Sequence, residues 1–263
     1  MVQVIVGADK KPFTFHKSLL RRHSEYFSRA FGPSFKEGEE SILYLTEANE
    51  TSCRLFQTWI YLQIARSLHS VPATFERVTG PHMFDEACVS DAWIQELISE
   101  NTGLALRRHL IDLYIFADAY ECIALRNDIM SALVRLDTGS STCMGFALAP
   151  LVFGSVPSSS TLCRYIVRST ATFLRLDHCD SKIMKSQPQE FISELLAIDE
   201  QRRQGNCPDD KWFAGFMRES CNFHEHAKYG EVILCDSVKA RGQVYIDGLI
   251  SACMEVIHAQ SSN

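Results

Sequence analysis

The hydrophobic pattern opens on an alternation. Val2, Val4 and Val6 are separated by Gln3 and Ile5, a period of two that predicts a short strand. Gly7 to Pro12 carries turn chemistry, and Phe13-Thr14-Phe15 predicts a second strand, so the chain starts with a hairpin. The period then lengthens. Residues 18–22 and 25–31 predict two short helices, the second with Tyr26, Phe27, Ala30 and Phe31 on one face. Ile42 to Leu45 predicts a third strand. Asn49 can cap the helix after it, whose shared face holds Phe56, Trp59, Ile60 and Gln63. Between 66 and 103 the period is lost. Pro72, Gly80-Pro81 and Gly103 punctuate a long loop or insertion, with an acidic helix expected from about Asp91 to Glu100.

The strongest period follows. Leu106, Leu110, Leu113, Ala117, Tyr120 and Ala124 step by three and four along one helical face, and Leu125, Ile129, Leu133 and Leu136 repeat the pattern after a turn near Glu121 to Ile123. Gly139 to Thr142 reads as a linker. Beyond it, residues 161–174 predict a helix. Pro188 opens another in the favoured first-turn position, with Phe191, Leu195 and Ile198 on its buried face and Gly205 at its end. Residues 209–219 predict one more, and residues 238–258 are apolar without a clean period. The expected division is an α+β domain over 1–137, interrupted by 66–103, and a mainly helical extension over 138–263.

Composition narrows the class. At 263 residues, 46% hydrophobic and 22% charged, the chain has the profile of a globular protein of roughly one to two domains. A net charge of −6 gives no global attraction to phosphate backbones, so direct nucleic-acid binding is not expected. The local cluster Arg107-Arg108-His109 is expected on the solvated face of a helix. No apolar run approaches the about 20 residues of a membrane span, and the first residues lack a basic signal region. The expected location is therefore cytoplasmic, nuclear or both. The ten cysteines are scattered and are expected to be reduced thiols.

The order of elements and several residues resemble the BTB/POZ domain over about half of the chain. The resemblance lies in Val4-Ile5-Val6-Gly7, in Phe13-Thr14-Phe15-His16-Lys17-Ser18-Leu19-Leu20, and in Ser24-Glu25-Tyr26-Phe27-Ser28-Arg29-Ala30-Phe31. It continues through Ile42-Leu43-Tyr44-Leu45, Phe56 to Tyr61 and Leu113 to Tyr120. It implies a BTB/POZ fold, a small sheet flanked by a helical cluster, and is closest to the single-domain BTB proteins of filamentous fungi. His16, Leu19, Leu20, Ser24, Tyr26, Phe27 and Tyr61 are then structural signature residues. His16 is expected to bond backbone groups at the strand end, Ser24 to cap the next helix, and Tyr26 and Phe27 to be core.

The resemblance also implies a partner. Cullin-binding BTB adaptors carry a hydrophobic-x-Glu triplet in the loop before the third strand, and Phe35-Lys36-Glu37 falls there. Phe35 would fill a pocket on a partner helix and Glu37 would accept hydrogen bonds at its rim; alternatively Phe35 is core and Glu37 caps or solvates the loop. Family members that form swapped dimers carry a helix and strand before the hairpin. This chain begins at the hairpin, which leaves homodimerisation open.

A second cluster lies outside the resemblance's main span. Cys221, His224, His226 and Cys235 form C-x2-H-x-H-x8-C. Two thiolates and two imidazoles suit tetrahedral zinc, and four protein ligands make a structural site. The tails of fungal BTB proteins look similar here, with an aromatic-His-x-His group and then a cysteine. The other reading is ordinary buried thiols and surface histidines. No phosphate-binding, dinucleotide or serine-hydrolase motif is present, and no catalytic residue is assigned. The expected function is a non-enzymatic interaction module, a candidate substrate adaptor of a cullin-based ubiquitin ligase. The alternatives are a scaffold or transcriptional co-regulator without a cullin, and an enzyme unmarked by motifs.

Overall fold

The computed structural model describes residues 1–68, 100–140, 145–173, 181–204, 215–226, 235 and 246–260. Most of the 66–103 insertion, with nearly all of its expected acidic helix, lies outside them. So do residues 141 and 142 of the expected linker, Leu174, Gly205, 209–214 and 238–245. The fold is mixed α+β, mostly helical, with a small sheet. It packs as two compact units: Met1–Leu125 with Gly242–Asn263, and Arg126–Arg241.

Alternation produces the sheet of the first unit. Strands β1 (Val2–Val6) and β2 (Lys11–Phe15) form the expected antiparallel hairpin, and β3 (Ile42–Leu45) pairs in parallel with β1. The order β2-β1-β3 puts β1 in the centre, with Val2, Val4 and Val6 buried. Pro12 lies within β2, opposite Ile5, rather than in the turn. An edge strand tolerates a residue without an N–H. Gly7, at φ +70°, makes the turn that a side chain would strain.

Helices α1 (Lys17–His23) and α2 (Glu25–Ala30) meet at Ser24, which ends one and caps the other. Its extended backbone turns the chain. Its Oγ accepts from the Phe27 N–H at 3.0 Å and donates to the Tyr120 carbonyl at 2.6 Å. Ser24 is buried, so losing the hydroxyl would orphan both groups. Ser24→Ala is therefore expected to lower the unfolding free energy by about 1–2 kcal/mol, read as a shifted urea midpoint at unchanged slope. An unshifted midpoint would show that water replaces both bonds.

A third short helix, α3 (Lys36–Glu40), stands where a loop was expected. Helix α4 (Glu50–Leu68) starts at Asn49 as expected, with Oδ1 accepting from Thr51 N at 2.7 Å and Ser52 N at 3.3 Å. It packs on α5 (Glu100–Ala119). Together these elements bury an aromatic cluster. The Phe56 ring lies 5.7 Å from Phe15, 5.8 Å from Phe27, 6.1 Å from Trp59 and 5.3 Å from Phe116. Leu106, Leu110, Leu113 and Ala117 are buried as the period predicts, Tyr120 is half-buried, and Ala124 is exposed. Arg107 is a correction. It is buried rather than solvated, and its guanidinium donates to the Gly103 carbonyl at 3.1 Å.

Glu121 takes the left-handed conformation (φ 52°) in the turn between α5 and α6 (Ile123–Ser140). Leu125, Ile129, Leu133 and Leu136 are buried as expected. The helix continues through Gly139 and Ser140, where a linker was expected. The division between the units falls inside α6, before Arg126, and the chain's last stretch belongs to the first unit. Both differ from a boundary at 137/138. Residues 246–260 are helical, with Ile246, Leu249, Ile250 and Cys253 buried.

In the second unit, α7 (Gly145–Ser155), α8 (Thr161–Phe173) and α10 (Gln189–Arg203) pack on one another, with α9 (Ser181–Lys185) between the last two in sequence. Pro188 is the residue before α10 rather than its first. Phe191 and Leu195 are buried, and Ile198 is half-buried. Residues 215–218 are helical. No helix among the described residues is long and apolar enough to cross a membrane.

Candidate metal centre and docking segment

The metal centre grows from a short 3₁₀ turn, Ser220–Phe223, which packs on α8. Phe223 anchors it, fully buried, with its ring 5.0 Å from Tyr165 and 5.6 Å from Phe216. The Asn222 amide donates to the Phe216 carbonyl at 2.9 Å, and Arg164 donates to the Asn222 carbonyl at 2.9 Å. The turn thus fixes Cys221 beside the start of an extended segment, since His224 has φ −85° and ψ 151°.

Extended backbone sends alternate side chains to opposite sides, which separates Glu225 from the two histidines. Glu225 meets α6. Arg126 grips it at two oxygens, Nε to Oε1 at 2.7 Å and Nη2 to Oε2 at 2.5 Å. Asn127 brackets its backbone, accepting from the Glu225 N–H at 2.8 Å and donating to its carbonyl at 3.3 Å. Such a bidentate pair, flanked by two amide bonds, sets orientation as well as position.

His224 and His226 then stand 5.6 Å apart, ring centre to ring centre. Cys235 completes the group: its Sγ lies 3.2 Å from Cys221 Sγ and 3.1 Å from His224 Nδ1. One donor atom from each of Cys221, His224, His226 and Cys235 lies within 4.8 Å of all the others, so the cluster could hold a metal ion. Two thiolates and two imidazoles are donors that tetrahedral zinc takes; bond lengths of about 2.3 Å to sulfur and 2.0–2.1 Å to nitrogen would space them roughly 3.3–3.8 Å apart, so the pairs at 3.1 and 3.2 Å would open slightly around an ion. His226 Nε2 adds a second sign: it is buried and has no hydrogen-bond partner among the described residues. A buried nitrogen left so is costly unless something binds it.

Other cysteines behave differently. Burial pushes the Cys53 and Cys253 thiols up to about 12, for Cys53 with help from the Glu50 charge, and burial raises Cys163. Cys221 and Cys235 are partly exposed.

The candidate docking segment, Phe35-Lys36-Glu37, is tied to neighbouring backbone. An added Cβ at Gly38 would lie 2.0 Å from the Gly32 carbonyl oxygen, so only glycine allows the chain to close there. Phe35 accepts from the Gly38 N–H at 2.9 Å, and Lys17 Nζ donates to the Gly38 carbonyl at 3.2 Å. The segment therefore starts α3 with Phe35 exposed at 52% rather than core. Lys36 is exposed and pairs with Glu40 at 3.3 Å. Glu37 is half-buried and close enough to Tyr26 that, after burial, its charge raises the phenol's pKa.

Of the signature residues, Leu20, Ser24 and Phe27 are buried, while Leu19 and Tyr26 are half-buried. His16 is a correction: its ring Nδ1 lies 3.0 Å from the Tyr61 hydroxyl, and it is its backbone carbonyl that caps α1. Two signature residues far apart in sequence therefore meet. The sequence does not reveal Lys17 as the support of the candidate docking segment, nor Arg126, Asn127 and Ser131 as the setting of the histidines. No family model matches the chain, and no curated protein does.

Proposed function

We propose that the chain is a non-enzymatic protein-interaction module of the BTB/POZ class. Its docking segment is Phe35-Lys36-Glu37, and its candidate partner is a cullin scaffold. The observation that carries this reading is Phe35, half exposed at the head of α3 on a segment tied down by Lys17. A large aromatic ring presented on a braced turn loses little freedom on binding, which favours it as an anchor. The hairpin, helix pair, third strand and helices in this order support the BTB/POZ assignment, as do the His16–Tyr61 contact and the Ser24 cap. Burial raises the thiols of Cys53, Cys163 and Cys253, so these three are not activated nucleophiles.

Co-precipitation with a cullin tests the partner. The variant Phe35→Ala with Glu37→Ala is expected to lose at least about tenfold in affinity, as anchor residues do, with its urea midpoint unmoved. Retained binding would remove the triplet's role. Capture of other proteins without a cullin would favour the scaffold or transcriptional co-regulator reading, in the cytoplasm or nucleus.

The Cys/His cluster carries a second reading. Cys221, His224, His226 and Cys235 hold a structural zinc that ties Cys235 to the 3₁₀ turn. Metal analysis after gentle purification is expected to find one zinc per chain. A folded, zinc-free protein would retire it.

A further inference from the structure

Resting on the zinc reading, we infer that the two histidines bind the metal through different ring nitrogens, His224 through Nδ1 and His226 through Nε2. Ser131 on α6 is the positioning residue that fixes the first.

An imidazole has two nitrogens, and the one that ligates is set by what the other one meets. At His224 the two nitrogens face different surroundings. Nδ1 lies 3.1 Å from Cys235 Sγ, among the donor atoms, while Nε2 lies 2.9 Å from Ser131 Oγ. Ligation through Nδ1 requires the proton on Nε2, where it donates to the serine hydroxyl. This is the outer-shell bond that metal-bound histidines characteristically make; the serine hydroxyl can donate or accept, and it is ligation at Nδ1 that leaves the proton on Nε2 to be held by it.

His226 presents the other nitrogen. Its Nε2 is buried and meets no hydrogen-bond partner among the described residues. A single extended segment explains the difference. His224 and His226, two residues apart, leave it on the same side, with ring centres 5.6 Å apart. Ser131 reaches His224, while the Arg126 and Asn127 bonds to Glu225 hold the backbone between the rings.

α6 thus supplies no ligand and yet orders the site. Arg126 and Asn127 place the segment, and Ser131 orients one ring. Their spacing puts Ser131 one turn beyond Asn127, on the same side of the helix.

The test uses the full chain loaded with zinc. Long-range proton–nitrogen NMR reads which nitrogen of each ring carries the proton. The expected pattern is a proton on Nε2 of His224 and on Nδ1 of His226. Ser131→Ala is expected to weaken zinc binding by roughly 10–100-fold in chelator competition, and Ser131→Thr, which keeps the hydroxyl, to restore it. The metal-free unfolding midpoint of Ser131→Ala should match that of the unchanged protein, separating positioning from general stability. The same tautomer at both rings, or unchanged zinc affinity in Ser131→Ala, overturns this inference while zinc binding stands. An unchanged protein that takes up no zinc overturns the zinc reading and this inference with it.

Discussion

Phe56→Ala is expected to lower the unfolding free energy by about 3–5 kcal/mol, the range for removing a fully buried phenylalanine ring. Phe56 is 0% exposed. Its ring is the one through which β2 (Phe15), α2 (Phe27), α4 (Trp59) and α5 (Phe116) all touch. Removing it strips contacts from four directions, and the void cannot collapse toward one neighbour without leaving the others. A domain holds only about 5–15 kcal/mol of stability, so the loss takes a large share. Phe56→Leu keeps most of the volume and should cost clearly less. Urea unfolding of both variants checks the ordering. A loss below about 1 kcal/mol in Phe56→Ala would mean the cluster relaxes around the gap and is not the centre of the unit's core.

Where burial follows a simple period, the sequence displays it. The alternation of Val2, Val4 and Val6 became the central strand, and Leu125, Ile129, Leu133 and Leu136 became a buried face. Capping was equally legible, because Ser24 and Asn49 act on backbone groups a few residues away. Pro12 was misplaced because a proline signals a turn unless the strand lies at an edge, and edge position is a property of the sheet. Arg107 was misplaced for a related reason. A long aliphatic stem can be buried when its guanidinium finds a carbonyl in its own helix, and charge alone does not reveal that. The last helix did carry a period, in Ile246, Leu249, Ile250 and Cys253. It was hidden because a cysteine holds one of the core positions.

The candidate metal centre divides in the same way. Its four donors were legible as a motif, since ligand chemistry restricts residue type. The residues that orient them were not. Arg126, Asn127 and Ser131 lie about 90 positions before the ligands and form bonds that any polar helix face could make. The candidate docking segment shows the same split. Phe35-Lys36-Glu37 stood out by position, but Lys17, which braces it, acts across the fold through a single carbonyl bond.

Zinc removal should produce the largest change in the second unit, and Cys235→Ser is the variant that isolates it. Cys235 lies beside both Cys221 and His224, so it links the 3₁₀ turn to a later part of the chain. Two sulfurs 3.2 Å apart cannot both be thiolates without a cation between them, because like charges at that distance repel strongly. A bound zinc would supply that charge, and its binding free energy would add to folding. With free zinc about 1,000-fold above the dissociation constant, the unchanged protein should gain about 4 kcal/mol over its metal-free form. Cys235→Ser replaces a soft thiolate by a neutral hydroxyl that binds zinc weakly. It should lose more than about 100-fold in affinity, beyond what an outer-shell change costs. Because Cys235 is partly exposed, its metal-free stability should stay close to that of the unchanged protein. Urea unfolding of both proteins, each with zinc and with chelator, checks this. The expected pattern is a zinc-dependent midpoint in the unchanged protein and a zinc-independent one in Cys235→Ser. A midpoint in the unchanged protein that ignores the chelator would show that the cluster adds nothing to folding, and that its cysteines and histidines meet for packing alone.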